Sequence, residues 1–146
     1  MQLDKTLVPA RALAKIIRNQ NVGAKTKAMV SNFIRSSFRS VWSLELLLHL
    51  KREGDRAWSA EELVAALRGS ELIVAQSLEY LLAAGLVSVD QDGCARYQPA
   101  SVHLESLVNE TEALYARSPD AVRRMIIRAG HGGLSAFADA FRIRKD

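Results

Sequence analysis

Along most of the chain apolar residues recur every three or four positions, and only one stretch alternates with a period of two. The first period lines one face of a helix and the second one face of a strand. Val8, Ala12, Leu13, Ile16 and Ile17 mark a short amphipathic helix, with Pro9 in the first turn, where a missing N–H is tolerated. Asn21 to Gly23 reads as a break, and Ala24 to Arg35 is expected to form a second helix with Met29, Val30, Phe33 and Ile34 inward. From about Ser37 to Glu53, Phe38, Val41, Trp42, Leu44, Leu46, Leu47, Leu48 and Leu50 cover more than half of a helix circumference. A helix apolar over that arc must be packed on several sides, so it is expected at the centre of the core.

Gly54 and Asp55 end that helix, and Ala57-Trp58 reads as a brief extended link. Ser59 followed by Glu62 has the spacing of a capping box, which starts a helix carrying Leu63, Val64 and Leu67. After Gly69, Ser70 can cap a further helix with Ile73, Val74, Leu78, Leu81 and Leu82 inward, closed by Gly85. Leu86 to Val89 alternates as a strand, Asp90-Gln91-Asp92-Gly93 is a turn signal, and Ala95 to Gln98 can return antiparallel before Pro99. Helices are then expected over His103–Arg117 and Pro119–Ala129, and over Leu134–Phe141 after a glycine-rich hinge at Gly130 to Gly133. The fold class expected is mainly α, with one small hairpin.

At 146 residues the chain is one ordinary domain in size, and 49% apolar with 25% charged residues excludes a disordered composition. The expected organisation is a basic helical extension over residues 1–36, a central module over 37–100, and C-terminal helices over 101–146 that pack or dimerise. The lone Cys94 cannot form a disulfide within the chain. No secretory h-region or stretch of 18 apolar residues occurs, so a cytoplasmic protein without membrane contact is expected.

The net charge of +4 is unevenly spread. Residues 1–40 hold eight Lys or Arg against Asp4 alone (+7), residues 41–118 six basic against twelve acidic residues (−6), and residues 119–146 six against three (+3). Basic ends around an acidic middle suggest a surface for a polyanion, or alternatively a solvated face or ends that dock on an acidic partner or on the acidic middle of this same chain.

Enzyme chemistry finds little footing. His49, His103 and His131 fall in different segments, with no H-E-x-x-H, no nucleophile elbow and no phosphate loop after a strand. No cofactor or metal is expected. His49 reads as a core or boundary residue, and Cys94 as a small apolar group, although Arg96 two positions on leaves an oxidant-sensing thiol open.

The order helix, link, capped helix, tight turn, helix and hairpin over residues 37–98 resembles the winged helix-turn-helix superfamily. In particular WSAEELVAAL, VAQSLEYLLAAGLVSV and DGCARYQP are similar to the second helix, recognition helix and wing of bacterial winged-helix transcriptional regulators. The resemblance implies a helix in the major groove and a wing on the backbone of duplex DNA. It would place Ser70, Glu71, Ala75, Gln76, Glu79 and Tyr80 toward the groove, with Arg68 beside the helix start and Arg96 on the wing. Gln76 has the chemistry to pair with adenine, and Ser77 to touch a base or phosphate. Lys15, Arg18, Lys25, Lys27, Arg35 and Arg39 would add phosphate contacts. Against this, Glu71, Glu79, Asp90 and Asp92 oppose the phosphate field. The expectation is thus a homodimeric DNA-binding regulator, with a winged-helix adaptor for a protein of the transcription machinery as the alternative, since fold alone does not decide function.

Overall fold

The computed structural model describes residues 26–130, and the expected helices over 8–19 and 134–141 lie outside them. The described chain is mainly helical with one small antiparallel sheet. Helix α1 covers 26–37, α2 Val41–Arg52, α3 Ala60–Leu67, α4 Glu71–Ala83, α5 Val102–Arg117 and α6 119–130; strands β1 (Val87–Val89) and β2 (Ala95–Tyr97) lie between α4 and α5.

The long helix expected from Ser37 instead begins at Val41. Ser40 accepts a hydrogen bond from the Ser43 N–H, and the Ser43 hydroxyl accepts one from the Ser40 N–H, so the two satisfy free donors at the helix start. The chain between α1 and α2 bends so that Phe38 meets Phe33 edge to face at 5.7 Å. From α2, Leu44, Leu46, Leu47, Leu48 and Leu50 are all buried, and α3, α4 and β2 pack around them. Three residues expected inward are exposed instead: Met29 on α1, Trp42 on α2 and Leu82 on α4. Each extends an apolar stripe beyond the arc that neighbouring elements cover.

The Ser59–Glu62 box forms as expected and opens α3, and the Ser59 N–H holds the Glu62 carboxyl below its ordinary range. Arg68 closes α3 in the left-handed conformation, at φ 54°. Gly69 follows so close to Trp42 that a Cβ there would stand 3.4 Å from the indole ring. Ser70 caps α4, and Gly85, at φ 75°, ends it with Leu86 N–H donating to the Leu81 carbonyl.

The hairpin pairs Val87 with Tyr97, Ser88 with Arg96 and Val89 with Ala95. The link at Trp58 also joins it: Trp58 and Ala95 exchange N–H···O bonds of 2.8 and 2.7 Å. Helix α5 is fastened to α2 in antiparallel order, Lys51 to Glu112 at 2.8 Å and Tyr115 to Glu45. One hydrophobic cluster takes in Val30, Phe33 and Ile34 of α1, the leucines of α2, Val108 of α5, and Val122 and Ile126 of α6. The three segments distinguished along the sequence therefore share a core, and part of the α6 stripe is covered within the chain.

Candidate nucleic-acid interface

Helix α4 turns Val74, Ser77 and Leu81 into the core and leaves Glu71, Leu72, Ala75, Gln76, Glu79 and Tyr80 exposed. One residue advances a helix by about 100°, so neighbours can face opposite ways. Gln76 faces outward as expected. Ser77 does not: at 2% exposure it is a core residue, and the expected contact with a base or phosphate is corrected accordingly. Its position three after Val74 and four before Leu81 puts it on the buried stripe.

The start of α4 carries exposed polar groups. The Ser70 side chain accepts the Ile73 N–H at 3.1 Å, which leaves its own hydroxyl proton for an outside acceptor. Arg68 stands exposed at the turn before it. Glu71, in the first turn, suits the positive end of the helix dipole. Toward the other end, the Arg39 guanidinium lies over the Tyr80 ring, 5.4 Å from its centroid, beside a small cleft lined by Ser36, Ser37, Ala83 and Ala84.

On the hairpin, Arg96 is exposed opposite Ser88. The Asp90 carboxylate accepts the N–H groups of Asp92 and Cys94, each at 2.9 Å, so this acid closes the turn. Burial, with Asp90, Asp92 and Glu62 adding negative potential, pushes the Cys94 thiol up, which opposes the thiolate an oxidant sensor needs. His49 stands half-buried at the edge of the core, its ring edge-on to Trp58 at 4.5 Å.

Of the N-terminal cations, Lys15, Arg18 and Lys25 lie outside the described residues. The remaining three separate. Lys27 borders a groove with Glu110 and Arg117, Arg39 reaches α4, and Arg35 borders a second cleft with Arg124 and Arg128. The sequence signals Arg124 and Arg128 only through their separation of four on a helix.

Among the described residues no helix is long and apolar enough to cross a membrane, and no three His, Cys, Asp or Glu side chains gather as a metal site. Compared with known proteins, the chain matches no family model, and no curated protein matches it. The functional reading rests on its own residues.

Proposed function

We propose that this protein is a winged-helix transcriptional regulator that binds duplex DNA, with α4 as the recognition helix and the β1–β2 hairpin as the wing. The observation that carries this reading is the bracketing of α4 by cations it does not itself possess. No Lys or Arg occurs between Glu71 and Ala83, yet Arg68 stands before the helix and Arg39 is stacked on Tyr80. A stack of this kind contributes about 0.5–1 kcal/mol at an exposed site, enough to bias where the guanidinium rests. Gln76 is the base-reading side chain, Ser70 and Tyr80 are polar contacts, and Arg68, Arg39 and Arg96 meet phosphates. A cytoplasmic homodimer is part of the reading, and Val102 of α5 and Ile127 of α6 are exposed apolar groups that a second subunit would cover.

A protein-binding adaptor is the second reading, and one observation favours it. Leu72 is 65% exposed on the same face as Glu71 and Glu79, a mixture better suited to a protein than to phosphate. Anisotropy titration of a random duplex at low and moderate salt separates the two. A DNA-binding protein loses affinity steeply as salt rises, because counterions released on binding must be recaptured. No binding at low salt would favour the adaptor.

A further inference from the structure

Away from the face of α4, three arginines line one cleft where α1 meets α6. Arg35 comes from α1, and Arg124 and Arg128 stand one turn apart on α6. Together with Ala121 and Met125 they line a cleft of about 230 Å3. Gathering like charges is unfavourable unless an anion joins them. None is supplied here by a side chain: among the described residues Arg35 and Arg128 have no carboxylate partner, and the nearest acid on α6, Asp120, bonds to Arg123 at 3.4 Å. Arg124 Nε donates to the Asp120 backbone carbonyl at 3.3 Å, which steadies that guanidinium and leaves its terminal nitrogens unengaged.

We infer that this cleft holds a backbone phosphodiester of the duplex bound by α4, an inference that rests on the DNA-binding reading. Guanidinium forks match the oxygens of a phosphate, and Ala121 and Met125 complete the lining of the cleft. The end of α6 also lies near the segment that carries Arg39. A Cβ on Gly130 of α6 would stand 3.7 Å from the Arg39 carbonyl oxygen, and the Arg39 side chain lies over Tyr80 of α4. Arg39 thus has its backbone beside the end of α6 and its side chain on α4, which places one cation between the two helices.

The test measures affinity for random duplex against salt for the full chain and for the double variant Arg124→Gln/Arg128→Gln. A second double variant, Arg52→Gln/Arg117→Gln, removes the same charge outside the cleft. Loss of one phosphate contact should make the plot of log affinity against log salt shallower by about 0.9 in the first variant and leave the second with the parent slope. Arg35→Gln, on the opposite wall, should flatten it in the same direction, which guards against a folding defect confined to α6. Equal slopes for the parent and the cleft variants overturn the inference while leaving DNA binding by α4 intact. Failure of the parent to bind duplex overturns both. A parallel titration with inorganic phosphate at constant ionic strength, followed by guanidinium NMR signals, covers the remaining source of the anion: binding there with an unchanged duplex slope makes the cleft a free-phosphate site and also overturns the inference.

Discussion

Helices α2 and α4 are both rich in leucine and pack against each other, yet they bury very different shares of their residues. In α2 six of 12 residues are buried, whereas in α4 only three of 13 are. The difference lies in their neighbours. Helix α2 has α3, α4 and β2 around it and is tied to α5 as well, while α4 rests on α2, α3 and β1 and turns its other side to solvent. Apolar content thus measures what a helix has available to bury, and topology decides how much of it is used. Leu72, Tyr80 and Leu82 remain exposed on α4, which makes that surface the place to look for a partner.

Truncation should break the comparison most sharply in α2. Leu47→Ala removes a fully buried side chain and should destabilise by about 2–5 kcal/mol in chemical denaturation, through lost burial and the cavity left behind. On the outer face of α4, Gln76→Ala should change stability by no more than about 0.5 kcal/mol. If Gln76 reads a base, the same variant should lower affinity for a selected site by about 1–3 kcal/mol and leave random duplex nearly unaffected. Ser59→Ala tests the start of α3, which holds α4 from one side, and should destabilise by about 1 kcal/mol through loss of the cap.

The smallest effect concerns the hairpin beneath α4 and emerges only at alkaline pH. Burial, with Glu105 and Glu112 nearby, pushes the Tyr97 hydroxyl up to about 12. An ordinary tyrosine ionises near about 10, so between these values the folded state keeps a proton that the unfolded chain releases. This contribution is fully present below about pH 10 and is lost as pH rises toward about 12. Tyr97→Phe should flatten that part of a thermal-midpoint profile. At neutral pH it should change stability by only about 1 kcal/mol or less, since the hydroxyl is buried with no hydrogen-bond partner among the described residues.

Features encoded within a few residues were legible in the sequence. The Ser59–Glu62 box, the Ser70 cap and the Asp90–Gly93 turn each depend on local spacing, and each forms. The start of α2 was obscured because its reciprocal cap uses serine at both positions, inside a run where Phe38, Val41 and Trp42 look like uninterrupted helix. Ser77 carries a hydroxyl suited to a polar contact, and only its register with Val74 and Leu81 marks it as a core residue. The pairing of Trp58 with Ala95, the stack of Arg39 on Tyr80 and the meeting of Arg35 with Arg124 and Arg128 join distant parts of the chain. No local pattern contains them.

In the proposed DNA-binding reading, Arg68 would set stability against recognition at a single residue. Left-handed backbone disfavours any side chain with a Cβ by on the order of 1 kcal/mol, and glycine is the residue that relieves it. Arg68→Gly should therefore raise the melting temperature slightly in a thermal scan while weakening duplex binding, since it removes the cation at the start of α4. Selection for heat resistance alone would drift toward glycine at this turn, and selection for a charged partner would hold arginine there. Parallel laboratory evolution under the two pressures would be expected to part first at this codon.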